Sequence, residues 1–373
     1  MNILKLFKLL GLIIITFAGC SKFEDYSDNQ KVIIKLDQLT DELIKNKKVP
    51  GLIISVSAPS KGLYYQKAKG FADLNASKPM TLNCLYRTGS FTKTFTGAII
   101  LQLISENKLK LDDKINKYLP ELAYSSQISI RQLLNMTSGI SEYSKDLNYQ
   151  AELVSNPQKE WKTIDIVNIA LSHPLNFVPG SKWEYSNTNT MIAALIIEKI
   201  TGESFKTNIE NRIIKKLGLN NTYFETDCIM PPKKYAKGYN LNSDGIYDVI
   251  ETFHQSNFGA AGSLVTNVQD ASFWLRMQMG DFMISNPFLK LEKYKYVPMN
   301  SSEGYGLAVM KIGKGFIGHS GGIPGYSSIS LYHPQSHATL VIMFNIISNV
   351  NNADIPRAID FFYNIQDIAF QEL

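Results

Sequence analysis

Apolar positions near both ends of the chain alternate with polar ones or run as short β-branched stretches. Gly51–Ala58 and Leu63–Phe71 have this pattern and are joined by a Pro-Ser-Lys-Gly turn, which predicts a β-hairpin. Residues 329–332 and 339–344 repeat the alternation near the C-terminus. The pattern therefore predicts strands at both ends of the chain.

Between these strands, apolar residues recur three and four positions apart, as on one face of a helix. The strongest such segment is 94–109, which is apolar on most faces and is predicted to be a buried helix. A helix over 191–200 is predicted to end at Thr-Gly, because glycine accepts the left-handed conformation that often follows a helix. The other predicted helices are 32–44, one that begins at 130–134, and 355–363.

The order of these elements predicts an α+β fold. Strands from the two ends of the chain would form one antiparallel sheet, with helices on both of its faces and an all-helical lobe inserted between them. The pattern lacks the regular strand–helix alternation of a doubly wound parallel sheet. We predict one domain over residues 31–373, with the active site between the sheet and the helical lobe.

The first twenty residues have the layout of a secretory signal. Residues 1–8 are basic, 9–17 are apolar, and the small residues Ala-Gly precede Cys20. This ending resembles the lipobox of bacterial lipoproteins, in which the cysteine is lipidated. We therefore predict a lipoprotein signal over 1–20, a polar tether over 21–30 and anchoring to a membrane. An ordinary cleaved signal with a chance cysteine is the alternative.

The composition of the chain is typical of a folded protein with a large core and argues against a nucleic-acid-binding protein. The chain has 373 residues, of which 45% are hydrophobic, so a large core can form. The formal net charge is +5, and two of the basic residues, Lys5 and Lys8, belong to the predicted signal. The remaining charge is nearly balanced and contains no dense basic block, which argues against nucleic-acid binding.

Cysteine and histidine spacing gives no indication of a metal or a cofactor. The cysteines are Cys20, Cys84 and Cys228, too few for a disulfide framework and without a Cys-x-x-Cys motif. A Cys84–Cys228 bridge is compatible with an oxidising compartment, and two buried thiols are the alternative. The five histidines form no His-Glu-x-x-His motif, so we predict no metal site.

A candidate nucleophile lies at the start of the predicted buried helix. Ser90 and Lys93 are spaced i, i+3, so they share a helix face. A serine hydroxyl needs a base, and a lysine can serve as one if burial lowers its pKa. A second Ser-x-x-Lys, Ser105 to Lys108, falls at the polar end of the same helix and is interpreted as surface.

Two further motifs follow in order along the chain. Tyr185-Ser186-Asn187 lies between a Pro-Gly loop and the helix predicted over 191–200. His319-Ser320-Gly321-Gly322 follows Phe-Ile, as if on or beside a strand. Each motif alone is compatible with a structural role, and their combination and order carry the functional interpretation.

Ser-x-x-Lys, Tyr-x-Asn and His-x-Gly in this order resemble the signature of the serine β-lactamase and penicillin-binding-protein superfamily. The form is similar to that of class C β-lactamases and D-Ala-D-Ala carboxypeptidases. Many β-lactamases of this superfamily carry lysine where this chain has His319, and some carboxypeptidases and esterases carry histidine. Further segments that resemble the family are Ile130–Gly139, Lys216–Thr222 and Ala261–Thr266.

The resemblance implies a role for each motif residue. Ser90 would be acylated, Lys93 would share in proton transfer, and Tyr185 would deliver a proton to the leaving group. Asn187 would hold the substrate amide or the Lys93 ammonium, and His319 would meet a substrate carboxylate. The backbone N–H groups of Ser90 and Gly322 would form an oxyanion hole, with Gly321 also lining the substrate site.

The resemblance also implies an activity and a location. The expected protein is an envelope serine hydrolase without a cofactor, facing the periplasm or exterior, that cleaves an amide or ester in a small molecule or peptide. A D-Ala-D-Ala carboxypeptidase or related peptidase is the first expectation. An esterase or β-lactamase of the same fold is an alternative, as is a penicillin- or cell-wall-binding protein without turnover.

A different nucleophile is also conceivable from the sequence. Residues 318–322 read Gly-His-Ser-Gly-Gly, which fits the Gly-x-Ser-x-Gly elbow of α/β-hydrolases. That elbow needs a helix after the serine, and Pro324 and Gly325 disfavour one here. The fold decides between the two nucleophiles.

Overall fold

A computed structural model of the chain describes residues 26–46, 49–227, 233–241, 247–249, 253–284, 286–347 and 356–371. The α-helices of these residues are α1 Tyr26–Lys45, α2 Thr92–Ser105, α3 Ile130–Leu134, α4 Leu147–Ser155, α5 Thr163–Leu171, α6 Asn187–Thr201, α7 Phe205–Ile209, α8 Lys215–Leu217, α9 Gly259–Gly262, α10 Val268–Met279, α11 Pro287–Lys293 and α12 Ala358–Ala369. The strands are β1 Gly51–Ala58, β2 Leu63–Asp73, β3 Lys78–Pro79, β4 Tyr86–Arg87, β5 Tyr223–Phe224, β6 Tyr239–Leu241, β7 Tyr247–Val249, β8 Leu264–Thr266, β9 Val297–Pro298, β10 Gly304–Tyr305, β11 Met310–Ile312, β12 Phe316–Ile323, β13 Tyr326–His333 and β14 Ala338–Phe344.

The main sheet joins the two ends of the described chain. Its order is β3-β2-β1-β14-β13-β12-β11-β10-β9, and each neighbouring pair is antiparallel. The N-terminal hairpin enters the sheet through β1, which pairs with β14 from Leu52 opposite Phe344 to Ser57 opposite Thr339. The predicted α+β class and antiparallel sheet are confirmed.

Both faces of this sheet are covered, because successive side chains of a strand point to opposite sides. Leu52, Ile54 and Val56 belong to one buried cluster, whereas Ile53 belongs to the other. Helices α1 and α12 pack on the first face and on each other, and α10 packs against β1, β13 and β14 on the second. The sheet is thus the middle layer of the fold.

Helix α2 forms the centre of the helical lobe. Eleven of its fourteen residues are buried, and it packs against α6, α7 and α9. A helix that is apolar on nearly all sides has to be enclosed on all sides, and the neighbouring helices and the second sheet face enclose it. The N-terminal end of α2 consequently lies where the lobe meets the sheet.

Several element boundaries differ from those predicted. Helix α1 begins at Tyr26, so the last five residues of the predicted tether 21–30 are helical, with Asp28 in the first turn favouring the helix start. Helix α2 ends at Ser105 because Asn107 takes a positive φ of 58°. The last helix runs from Ala358 to Ala369, six residues past the predicted end at 363, and Ile365 and Ala369 of this extension are buried.

Part of the sequence interpretation lies outside the described residues. Cys20, the predicted signal and the first five tether residues are among them, as is Cys228. Cys84 is a buried free thiol whose Sγ lies 3.3 Å from the Thr81 hydroxyl. Within the described ranges, no helix has both the length and the apolar character needed to cross a bilayer.

Candidate active site

Ser90 lies in a 3₁₀ turn, Gly89–Phe91, that leads directly into α2. The first N–H groups of a helix have no acceptor within the helix, and they form the positive end of its dipole. Ser90 is partly exposed while its two neighbours in the turn are buried. The hydroxyl is therefore accessible and lies beside donors that suit a developing negative charge.

Hydrogen bonds from β8, which belongs to a small sheet with the order β4-β8-β5, and from β13 of the main sheet hold this turn in place. Thr88 donates its backbone N–H and its hydroxyl to the Leu264 carbonyl of β8, at 2.9 and 3.0 Å. The Thr88 carbonyl accepts from the hydroxyl of Ser328 on β13 at 2.9 Å. On the other side of Ser90, Thr92 Oγ1 donates to the Gly89 carbonyl and accepts from the Leu264 N–H. The nucleophile is thus carried by a fixed segment.

Lys93 reaches Ser90 from one helical turn further on. Its Nζ lies 2.9 Å from Ser90 Oγ and donates to Asn187 Oδ1 at 2.6 Å and to the Ala261 carbonyl at 2.8 Å. The last two atoms can only accept, so they use two N–H bonds of the amine. A neutral Lys93 then turns its lone pair towards Ser90, whose O–H can donate to it.

Burial sets the protonation of this amine. The Lys93 side chain is completely buried, and desolvation lowers its pKa from about 10.5 to about 7. The carboxylate of Glu142 opposes this change by favouring the ammonium form. Near neutral pH the neutral amine and the ammonium are therefore both populated, as a proton-transferring group requires.

Tyr185 approaches Ser90 from the other side. Its hydroxyl donates to Ser90 Oγ at 2.8 Å, and its ring lies 5.0 Å from Lys93 Nζ. Burial of the hydroxyl, and to a smaller extent the Glu142 charge, raises the pKa of Tyr185 far above its usual value of 10. Tyr185 is thus a neutral phenol near neutral pH, and a neutral phenol is a proton donor.

Asn187 is the first residue of α6, and it contacts Lys93 rather than open space. Its Oδ1 accepts from Lys93 Nζ, and its Nδ2 donates to Glu142 Oε1 at 3.2 Å. Of the two partners expected for Asn187, the lysine is the one that the structure brings to it.

His319 lies at the site, and both of its ring nitrogens are bonded within the protein. Its ring is buried on β12, where Nδ1 donates to the Ser320 carbonyl at 2.5 Å and Nε2 accepts from the Tyr305 hydroxyl at 2.9 Å. Desolvation, together with the nearby Lys93 charge, lowers the pKa of His319 to about 3. Because both ring nitrogens are occupied and the ring is neutral, His319 offers no free N–H or positive charge to a substrate carboxylate.

The two glycines after Ser320 bring β12 against the nucleophile turn. A Cβ at position 321 would lie 1.8 Å from the Thr88 carbonyl oxygen, so only glycine fits there. Gly322 is exposed, and its backbone nitrogen lies 2.8 Å from where Gly89 would carry a Cβ. Gly89 takes a φ of +58°, a conformation that glycine adopts freely. The Gly322 amide thus adjoins the Ser90 turn.

The structure excludes the other two candidate nucleophiles. Residues 318–322 lie inside β12, and the strand β13 follows, so the strand–turn–helix of an α/β-hydrolase elbow is not present there. Ser105 closes α2 and donates to the Leu101 carbonyl, while Lys108 pairs with Glu106 at the surface. The interpretation of that second motif as surface is confirmed.

Sequence reasoning missed three groups of the site: the Glu142 carboxylate, the Ala261 carbonyl and the Tyr305 hydroxyl. Glu142 follows the Thr-Ser-Gly segment by three residues, and Ala261 begins the Ala-Gly-Ser-Leu segment. Both segments resemble the family, so the sequence pointed to these two regions of the chain. It assigned no role to Glu142 or to the Ala261 carbonyl. In the part of the chain that the structure describes, no group of His, Cys, Asp or Glu could hold a metal ion.

Comparison with known proteins gives a match along most of the chain. The family model described as Beta-lactamase matches residues 36–361. Protein flp of Staphylococcus aureus is 25% identical over 338 residues, which are 87% of this chain and 65% of that protein. Penicillin-binding protein 4* of Bacillus subtilis is 28% identical over 312 residues, with coverage of 78% and 67%. The chain thus spans about two thirds of the length of these relatives.

A solved structure extends the likeness to three dimensions. The D-stereospecific amidohydrolase from a Streptomyces species is 29% identical to this chain and superposes with a TM-score of 0.74. The alignment covers 86% of this chain and 94% of that one. Sheet and helical lobe therefore have the same arrangement in the two proteins.

Proposed function

The chain belongs to the beta-lactamase family, and from this premise we propose that it is a serine hydrolase that cleaves amides or esters through an acyl intermediate on Ser90. The observation that carries the proposal is the contact of one serine oxygen with both Lys93 Nζ, at 2.9 Å, and the Tyr185 hydroxyl, at 2.8 Å. Nucleophile, base and acid are within hydrogen-bond distance, as covalent catalysis requires.

Acylation follows from these contacts. Neutral Lys93 takes the Ser90 proton as Oγ forms a bond to the substrate carbonyl carbon. The carbonyl oxygen becomes negative and is stabilised by the backbone N–H groups of Ser90 and Gly322. When the carbon–nitrogen or carbon–oxygen bond breaks, the Tyr185 hydroxyl gives its proton to the leaving group, and the Lys93 ammonium returns one to Tyr185.

Hydrolysis of the acyl intermediate follows, with water as the attacking group and Ser90 Oγ as the leaving group. Neutral Lys93 takes a proton from a water molecule, whose oxygen attacks the acyl carbon, and the Lys93 ammonium then holds the proton that Ser90 needs. Ser90 Oγ leaves and regains a proton, so the enzyme returns to its starting state with one water consumed. The net reaction releases an amine or alcohol and a carboxylic acid.

Peptide-like amides of D-amino acids are the substrate class that we propose, with D-Ala-D-Ala ends as the first to test. Support comes from the likeness to the D-stereospecific amidohydrolase from a Streptomyces species, at 29% identity, and to penicillin-binding protein 4*. An esterase is the second candidate. The neutral, internally bonded His319 favours it, because a substrate carboxylate would gain no charge from that position.

The test uses the purified domain and two serine variants. Ser90→Ala should abolish labelling by a fluorophosphonate and turnover of a D-amino acid amide, a D-Ala-D-Ala peptide, nitrocefin and a p-nitrophenyl ester. Ser105→Ala, which changes the serine of the other Ser-x-x-Lys motif, should leave all of these rates unchanged. Mass spectrometry should place the acyl adduct on Ser90. Hydrolysis that survives in Ser90→Ala would refute the proposal.

The same panel of substrates separates the activities. Release of an amine from the D-amino acid amide or the peptide identifies an amidase or peptidase. Turnover of the ester alone identifies an esterase, and turnover of nitrocefin a β-lactamase. An adduct on Ser90 that never hydrolyses would identify a binding protein without turnover.

We propose further, on the leader pattern alone, that Cys20 carries a lipid anchor in the cell envelope. A Cys20→Ser variant should then move from the membrane fraction to the soluble fraction and lose incorporation of a labelled fatty acid. A Cys20→Ser protein that stays in the membrane fraction with its label would exclude the anchor.

A further inference from the structure

Glu142 is a buried carboxylate next to the site. It lies three residues after the Thr-Ser-Gly segment, caps the 3₁₀ turn Tyr143–Lys145, and is only 7% exposed. The carboxylate accepts from the Ser144 N–H at 3.2 Å, from the backbone N–H of Asn187, and from Asn187 Nδ2 at 3.2 Å. Two of its three hydrogen bonds are thus made to one residue of the site.

These bonds fix the orientation of the Asn187 amide. Its Oδ1 accepts from Lys93 Nζ while its Nδ2 donates to Glu142. If the amide were reversed, an NH₂ group would face the Lys93 amine and an oxygen would face the carboxylate, and both hydrogen bonds would be lost. Glu142 therefore determines which atom of Asn187 meets Lys93, and the resulting bond holds Lys93 beside Ser90.

Glu142 is also the carboxylate that acts on Lys93 through its charge. Its charge opposes the lowering of the Lys93 pKa and contributes to the raised pKa of Tyr143, Tyr149 and Tyr185. On its outer side lies a cavity of about 460 Å³ whose lining includes Lys145, Asp146 and His173. The titratable or charged groups around Glu142 and Lys93 are Tyr143, Lys145, Asp146, Tyr149, His173, Tyr185 and His319.

We propose that Glu142 is a positioning residue of this hydrolase: through Asn187 it aims the Lys93 amine at Ser90, and it keeps a negative charge near that amine. The inference rests on the proposed function, in which Lys93 removes the Ser90 proton. A role confined to capping the turn at Ser144 would affect the stability of the protein but not the pH at which Ser90 becomes reactive.

The experiment measures the rate of Ser90 labelling by a fluorophosphonate between pH 5 and 9. In the wild type the rate should rise with pH through a midpoint near 7, the pKa of Lys93. Glu142→Gln keeps the size of the side chain and removes its charge. Its midpoint should fall by roughly one pH unit, because loss of the opposite charge disfavours the ammonium. Its maximal rate should fall by about 10-fold or more, because an NH₂ group replaces one of the two oxygens that bind Asn187.

Two matched variants accompany it. Glu142→Asp keeps the charge on a shorter side chain, so it should keep the wild-type midpoint and lose maximal rate. Glu152→Gln removes one acidic charge from the surface of α4, where Glu152 pairs with Lys159, and should change neither quantity. Thermal unfolding of each variant reports its stability.

The outcomes are distinguishable. Labelling that does not depend on Ser90 overturns the proposed function and this inference together. Ser90-dependent labelling with the wild-type midpoint in Glu142→Gln overturns this inference alone, whatever its stability. If Glu142→Gln does not fold, the result for Glu142→Asp is decisive. A lower maximal rate of Glu142→Asp at the wild-type midpoint supports the inference. A wild-type maximal rate or a shifted midpoint in Glu142→Asp overturns it.

Discussion

At the scale of single residues, burial determines what Lys93 and His319 can do. Both side chains are almost completely enclosed, and desolvation lowers the pKa of each, to about 7 for the lysine and about 3 for the histidine. The lysine therefore exchanges protons near neutral pH, whereas the histidine stays neutral and holds Tyr305 and the strand backbone. Two basic residues on neighbouring elements thus acquire different functions from the same physical effect.

The buried neutral His319 should make the fold sensitive to acid. Its pKa falls from 6.5 in the unfolded chain to about 3 in the fold. Between these values the unfolded state binds more protons, so the free energy of unfolding decreases as pH falls through this window. From pH 7 to pH 5 the loss assigned to His319 is about 2 kcal/mol.

Urea unfolding of the wild type and of His319→Gln at both pH values measures this loss. Glutamine has no titratable group, so the decrease in the free energy of unfolding between pH 7 and pH 5 should be smaller in the variant by about that amount. Equal decreases in the two proteins would show that His319 does not carry the effect.

At the scale of elements, the critical contact is between β12 and the 3₁₀ turn of Ser90. Gly321 and Gly322 have no side chains, so the strand can lie directly against Thr88 and Gly89. The same strand carries His319, while Ser328 on β13 bonds the Thr88 carbonyl. The position of the nucleophile is therefore set by the close approach of a strand and a turn.

Gly321→Ala should separate these two elements. The added Cβ would lie 1.8 Å from the Thr88 carbonyl oxygen, and either the strand or the turn has to move. We expect the free energy of unfolding to fall by about 1–3 kcal/mol and the rate of Ser90 labelling to fall by about 10-fold or more.

Gly202→Ala is the control for this prediction. Gly202 has a φ of +72° but open space around it, so alanine should cost about 1–2 kcal/mol in stability and leave the labelling rate unchanged. A wild-type labelling rate in Gly321→Ala would mean that the close contact does not position Ser90.

At the scale of the whole molecule, the two ends of the described chain are needed to complete one sheet and one core. The ring of Phe316 on β12 packs against Phe362 and Phe370, with centroids 5.4 and 5.0 Å apart. Helix α12 thereby covers the sheet face beneath the strand that carries His319. Packing beneath this strand is thus provided by α12, whereas Ser90 and Lys93 lie on the turn and helix of the lobe.

Phe362→Ala should accordingly separate stability from activity. Its ring is completely buried, and removing it should lower the free energy of unfolding by about 3–5 kcal/mol. At a temperature where the variant remains folded, the rate of Ser90 labelling should stay within about twofold of wild type.

Phe282→Ala provides the comparison, because Phe282 is 74% exposed and its loss should change stability by less than about 0.5 kcal/mol. A large fall in the labelling rate of folded Phe362→Ala would instead connect α12 to the chemistry.

Hydrophobic patterns predicted strands and helices well where burial of the patterned side chains itself stabilises the element. Strands β1, β13 and β14 are buried on both faces, which favours short apolar and β-branched runs, and the predicted strands lie within the observed ones. Helix ends were less predictable: α1 begins six residues before its apolar pattern, in a polar stretch, and α12 ends six residues after its predicted end.

By itself, the sequence determined the fold class, the candidate nucleophile and the pairing of Ser90 with Lys93, since alternation, helical spacing and i, i+3 contacts are properties of neighbouring residues. The tertiary structure alone decided that Glu142 and Ala261 join the site and that both nitrogens of His319 are occupied. The contacts of Glu142 with Asn187 and of Ala261 with Lys93 join groups 45 and 168 residues apart in a dry interior, and His319 meets Tyr305 from 14 residues away. Charge and desolvation act through space, so no local pattern encodes them.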